Sequence, residues 1–325
     1  MSKQGDFVIS LDFELYWGVR DARSLDSYGQ NILGVREVIP RMLDVFERDG
    51  IACTWATVGF LFFDEKEELL ASLPHPQPRY ADKRYDPYSH LDTVGANERT
   101  DPYHFGRSLV RRIAACPRQE VATHTFSHYY CLEPGQDAVS FDADLRAARA
   151  AAGRLGIQVR SIVFPRNQYS EAYLDVCRAN GLTAFRGNQS AWIYKARSHG
   201  DQGRSVRALR LLDAYLPISG DHAFFPQQIR GMWNIPASRF LRPYSAQLRR
   251  LERLRLQRIM RAMEAAAKTG SAFHLWWHPH NFGMHTVQNL RNLQTIIEHY
   301  RQLRDRYGMR SSGMHELAMR AALTA

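Results

Sequence analysis

No stretch of about 18 apolar residues occurs in this chain, so a membrane-spanning helix is not expected. Cysteine is scarce. Cys53, Cys116, Cys131 and Cys177 are scattered without CxxC spacing, which reads as free thiols in a reducing compartment. Cys131 is expected to be a small buried hydrophobe, with metal ligation as the alternative. An export signal is not evident either. Met1 to Gly5 runs into a short apolar segment, Phe7 to Leu11, with acids behind it and no small-residue cleavage site. That pattern predicts a cytoplasmic protein. Internal repeats and low-complexity tracts are lacking as well, so a single domain spanning residues 1–325 is the simplest expectation.

Acidic residues are outnumbered: 33 Asp and Glu face 43 Lys and Arg, for a net charge of +10. Such a balance favours an anionic partner, whether nucleic acid, a membrane surface or an acidic substrate. Nucleic acid is disfavoured, because the arginines are spread along the chain and no recognition motif occurs. The chain is 45% hydrophobic and 23% charged, which is a globular composition and excludes a disordered one.

What is present is an alternation of short apolar runs and longer amphipathic stretches. Strands are predicted over Phe7–Leu11, Ile51–Val58, Glu120–Thr123, Arg160–Phe164, Leu182–Phe185, Met232–Ile235 and Ala272–Trp277. Helices are predicted from a first turn near Pro40 to a stop at Gly50, and over Phe141–Leu155, Glu171–Ala179 and Arg291–Leu303. About seven βα units predict an α/β fold, a distorted (β/α) barrel of about seven parallel strands. Chemistry in such barrels sits at the carboxyl ends of the strands. Two long loops, about 63–103 and 194–228, interrupt the rhythm as insertions.

Reactive residues do follow the strands. His124-Thr125-Phe126-Ser127-His128 places two imidazoles four apart, which on a helical turn could reach one ion; two capping or surface histidines are the plain alternative. Asp12 and Glu14, two apart at the end of the first strand, project to one side. Acids there are awkward to bury unless one ligates a metal and the other takes a proton. Arg166, after Phe164-Pro165, could clamp a carboxylate or an acidic substrate group, or be an ordinary surface arginine. His278, where Pro279 ends the last strand, could protonate a leaving amine. Trp276 and Trp277, with Tyr16 and Trp17, are candidate substrate contacts, although core packing is the commoner role of such rings. His280 and His285 are expected to be supporting or surface residues.

These pieces together resemble the polysaccharide deacetylase family, also called the NodB-homology or carbohydrate esterase 4 family. The resemblance rests on Ser10-Leu11-Asp12-Phe13-Glu14, Ala52-Cys53-Thr54-Trp55-Ala56-Thr57, the HTFSH segment, Phe164-Pro165-Arg166, Asn234-Ile235-Pro236-Ala237 and Trp277-His278-Pro279. They stand in family order over residues from about 7 to 285. It implies a NodB-like barrel with one divalent ion, often zinc, with cobalt, manganese or nickel as alternatives. Asp12 would be the base, His124 and His128 ligands, Arg166 the residue orienting the base, and His278 the acid. The commonest first motif has adjacent aspartates; here Asp-Phe-Glu makes Glu14 the third ligand, as in relatives with acids two apart.

The resemblance further implies removal of an N-acyl group, acetyl above all, from an amino sugar. A cytoplasmic member suggests a nucleotide- or lipid-linked substrate in surface-polysaccharide or lipopolysaccharide O-antigen assembly. Deformylation, hydrolysis of a small amide, and an inactive glycan-binding protein are the alternatives. Arg239–Arg261 carries an apolar stripe of Leu256, Ile259, Met260 and Met263 among arginines. It predicts an amphipathic helix, either covering the barrel or docking on anionic lipid at the inner membrane face.

Overall fold

The computed structural model describes residues 4–189, 209, 211–215 and 218–324. Among the described residues, ten strands form one sheet: β1 (Asp6–Phe13), β2 (Cys53–Thr57), β3 (Gln119–Thr123), β4 (Ser161–Ile162), β5 (Ala184–Phe185), β6 (Gln227–Ile229), β7 (Met232–Asn234), β8 (Arg239–Phe240), β9 (Ala272–Trp277) and β10 (Arg310–Ser312). The order is β6-β7-β5-β4-β3-β2-β1-β9-β8, with β10 beside the first half of β1. Every pairing is parallel except β6 with β7. The sheet curls into a distorted, incompletely closed barrel with helices outside. All seven expected strands form. The additional ones, β6, β8 and β10, are two or three residues long, too short to show a period.

All eight residues of β1 are buried, as befits a strand covered on both faces. Phe7, Ile9, Leu11 and Phe13 join the large core between sheet and helices. Val8 faces a smaller interior cluster with Ala56, Val163, Ala184 and Ile235. The period of two then puts Ser10 and Asp12 on the interior face as well.

The first helix differs from expectation. It runs Leu25–Asp49, so Pro40 lies inside it and not in its first turn. Its start is set by Ser24, whose hydroxyl accepts from Ser27 N at 3.4 Å, and its end by Gly50 in the left-handed conformation. The loop at 63–103 is built from short helical turns around buried Tyr80, Tyr85, Leu91 and Val94. Most of the second long loop lies outside the described residues.

The predicted amphipathic helix covers the barrel as Glu252–Thr269. Ile259 and Met263 are buried and Leu256 packs against the core, so this stripe is not available to lipid. Arg258 also turns inward, onto the buried Asp213. Arg249, Arg250, Arg253 and Arg261 stay exposed.

Candidate active site

Asp12 ends the interior face of β1, and Glu14 follows the strand directly. A sharp turn at Leu15 (φ 46°) starts a short 3-10 helix, Leu15–Gly18. Both carboxylates are buried, at 2% and 3% exposure. Glu14 Oε2 lies 3.3 Å from His124 Nε2 and 3.2 Å from His128 Nε2. On its other side, Oε1 lies 3.0 Å from His280 Nε2 and 3.7 Å from His278 Nε2. Burial alone would raise the Glu14 pKa, but the surrounding imidazoles hold it well below the usual carboxylate range.

Gly18 makes room for this carboxylate. A Cβ there would stand 1.9 Å from Glu14 Cδ. Gly18→Ala is therefore expected to push the carboxylate aside and weaken divalent-ion affinity about tenfold or more while the fold is kept. Metal titration of the folded variant checks this; wild-type affinity would show that the carboxylate is not needed where it stands.

The HTFSH segment is not a helical turn. It leaves β3 with Thr125 at φ 64° and His128 at φ 61°. The buried Asp144 shapes it, its carboxylate accepting from Phe126 N (2.6 Å), Ser127 N (3.2 Å) and Ser127 Oγ (2.5 Å). Both imidazoles still converge, with ring centroids 5.0 Å apart. His124 Nδ1 donates to Val163 O at 2.8 Å, which leaves its buried Nε2 as a lone pair without a hydrogen-bond partner among the described residues. His128 is pushed down to about 4, by burial first and against the pull of Glu14, so it is a neutral imidazole. One carboxylate and two imidazoles, their ligand atoms within 4.8 Å of one another, suit a divalent ion such as zinc.

The surroundings of Asp12 are where the structure departs furthest from the sequence reading. The arginine on Asp12 is Arg186, not Arg166. Arg186 is 1% exposed and donates to both Asp12 oxygens at 2.7 Å. It also donates to Ser10 Oγ at 2.9 Å and to Asn167 Oδ1 at 2.9 Å. Arg166 pairs with Asp21 instead. Burial would raise Asp12, but Arg186, His124 and His278 outweigh it and hold the carboxyl below its ordinary value. Behind Arg186 the buried His274, lowered to about 3 by burial, donates from Nδ1 to Ile235 O (3.1 Å) and accepts from the Ser10 hydroxyl (2.8 Å).

His278 is the partly open member of the cluster, its side chain 23% exposed. Its Nε2 is 3.6 Å from Asp12 Oδ2, and its Nδ1 is 3.3 Å from Asn281 Oδ1. His280, expected as a supporting or surface residue, is buried and holds Glu14. Because its Nε2–H points at the carboxylate, its Nδ1 accepts from the Tyr28 hydroxyl at 2.9 Å. His285 is exposed.

Of the four aromatic candidates, only Trp276 borders the centre. Its ring lies 4.2 Å beneath the Arg186 guanidinium and 5.6 Å from the His278 ring. Trp277 points the other way along the strand period and is fully buried on the helix side, stacked on Phe282. Trp17 is fully buried and donates to His104 O at 2.8 Å. Tyr16 is tied to Arg23 O at 2.7 Å. Cys131 is a buried core residue, as expected.

No family model and no curated protein matches the sequence. Solved structures do match the fold. A Mycobacterium smegmatis protein assigned to the polysaccharide deacetylases superimposes with a TM-score of 0.61 at 13% identity, over 100% of this chain and 92% of that one. A Pseudomonas aeruginosa protein of the same assignment gives 0.56 at 12% identity, over 97% and 89%. PuuE allantoinase gives 0.58 at 10% identity, over 98% and 90%. The chain thus has the NodB-like fold of the polysaccharide deacetylases, as the sequence motifs implied.

Proposed function

We propose that the protein is a metal-dependent hydrolase that removes an N-acyl group, acetyl above all, from an amino sugar. The observation that carries this reading is the arrangement around Glu14. Its Oε2 faces His124 and His128, while Asp12 and His278 stand on the adjoining side, all at the carboxyl end of the barrel. Glu14, His124 and His128 would hold the ion. When bound, it supplies Lewis acidity for the amide carbonyl and a lowered pKa for the attacking water.

The remaining steps fall to the chain itself. Asp12 takes the proton of the water, and Arg186 holds both of its oxygens so that the carboxylate faces one way. His278 delivers a proton to the departing nitrogen. Its partial exposure suits a group that must meet substrate and exchange protons with solvent. Trp276 offers an apolar wall beside it.

The polar, two-acid centre and the family resemblance favour an amino-sugar amide. The net charge of +10 and the exposed Arg249, Arg250 and Arg253 favour a sugar carried on a nucleotide or lipid phosphate. Such substrates belong to cytoplasmic assembly of surface polysaccharide or lipopolysaccharide, with peripheral contact at the inner membrane face as the lipid-linked case.

The test is release of acetate or formate from N-acylated amino sugars by zinc-, cobalt- or manganese-loaded protein. His278→Ala is expected to lower kcat about 10²- to 10⁴-fold while the metal is retained. Wild-type turnover in that variant would remove His278 as the acid.

A further inference from the structure

Glu14 presents two carboxylate oxygens, and only Oε2 faces the proposed ligands His124 and His128. Oε1 faces a second pair of imidazoles, with His280 Nε2 at 3.0 Å and His278 Nε2 at 3.7 Å. These three donor atoms also lie within 4.8 Å of one another. Around a tetrahedral zinc ion, with bonds of about 2.0–2.2 Å, neighbouring ligand atoms stand roughly 3.4 Å apart. The two Oε1 contacts bracket that spacing, so an ion set among the three atoms needs little rearrangement.

Both imidazoles are held from behind, as metal-ligating histidines usually are. Asn281 Oδ1, 3.3 Å from His278 Nδ1, can only accept. The Nδ1 of His278 therefore carries a proton, and in the neutral ring Nε2 keeps the lone pair. His280 Nδ1 lies 2.9 Å from the Tyr28 hydroxyl, which accepts as readily as it donates. His280 can thus move its proton to Nδ1 and turn a lone pair toward Oε1. Asn281 joins the two partners, its amide donating to Tyr28 Oη at 3.4 Å. The side chain of His278 is 23% exposed, which gives an ion a way in on this side of the carboxylate. His124 and His128 are closed, at 1% and 3%.

We propose that Glu14 Oε1, His278 Nε2 and His280 Nε2 form a second, inhibitory site for a divalent cation such as zinc, with Glu14 bridging two ions when both are bound. This site rests on the assignment above of Glu14, His124 and His128 as ligands of the catalytic ion and of His278 as the acid. Ions that share a site in this way stand about 3.5–4 Å apart and repel one another. The second therefore binds more weakly and fills only when metal is in excess. It occupies the nitrogen from which His278 hands over its proton, so the acid is lost while the first ion stays in place. Two imidazoles and one carboxylate oxygen suit zinc or cobalt, whereas magnesium, which takes oxygen ligands, is not held.

Equilibrium dialysis against rising zinc, read by elemental mass spectrometry, tests the site independently of turnover. Wild-type protein is expected to pass a plateau at about one ion per chain and then reach about two. Folded His278→Ala and His280→Ala should each stop at about one. In wild type the second step should coincide with a fall in kcat of about 10²- to 10⁴-fold, the size of a lost general acid. Dialysis back to the first plateau should restore kcat, and magnesium in place of the excess zinc should leave it unchanged. A wild-type plateau at about one ion, with that ion lost in His124→Ala, overturns the second site and leaves the hydrolase reading standing. A second step kept in both variants overturns it too, because that ion then binds elsewhere. A second step that leaves kcat unchanged overturns the inhibitory role. A single ion kept in His124→Ala and lost in His278→Ala and His280→Ala overturns the two-ion arrangement together with the proposed catalytic ligands.

Discussion

His124→Ala is expected to emerge from purification without its divalent ion, whereas wild-type protein carries about one per chain. Elemental mass spectrometry of the two proteins reads this directly. The reason lies in the donor set. His124 offers a lone pair fixed in direction by its bond to Val163 O, and it shares Glu14 Oε2 with His128. Removing one of three protein ligands leaves too few to compete with water for the ion. Glu14→Ala should behave in the same way.

A companion variant makes the experiment sharper, because Glu14 also faces a second possible group, His278 with His280. If the ion sits on the HTFSH side, His280→Ala only loosens it, by about 10- to 100-fold, since His280 then orients the ligand carboxylate from behind. An ion lost in His280→Ala and kept in His124→Ala would move the centre to the other group. Absence of any ion after reconstitution with zinc, cobalt or manganese would undo the hydrolase mechanism and favour a glycan-binding protein.

Arg186→Ala is expected to be the most damaging single substitution at the site, for stability as well as activity. It strands Asp12 as a carboxylate buried in the barrel, with Ser10 and Asn167 losing the same partner. Breaking a buried pair by removing one member costs about 3–5 kcal/mol. A chain of this size would show that as a clear loss in urea midpoint, and acyl release should fall with it. Arg166→Ala is the control: Arg166 is partly exposed and pairs with Asp21 rather than Asp12, so acyl release should fall far less than in Arg186→Ala. Equal effects of both substitutions on acyl release would refute the proposed role of Arg186 in holding Asp12.

These two arginines show what could be read in advance. Each comes soon after a short interior strand, Arg166 four residues beyond the end of β4 and Arg186 directly after β5, so the rule that reactive residues stand at carboxyl ends points at both. Choosing between them needs the left-handed turn at Arg166 and Asn167, which swings one guanidinium away from Asp12 and lets the other in from 174 residues along the chain. His280 was obscured for a related reason. Its position beyond Pro279 reads as loop, yet the 3-10 turn Pro279–Phe282 folds it back against Glu14. Asp144, which shapes the histidine turn, carries no local mark of that role within its helix.

The amino-acid sequence by itself determined the parallel strands and the helices between them. It also determined the convergence of Asp12, Glu14, His124, His128 and His278, because hydrophobic period and residue order suffice to place side chains at strand ends. Trp276 and Trp277 were separable by the same period, one to the interior and one to the core. Only the tertiary structure decided which charges neutralise one another. Ion pairs and hydrogen-bonded turns join residues far apart in the chain, and their partners are selected by the distances left once the sheet has curled.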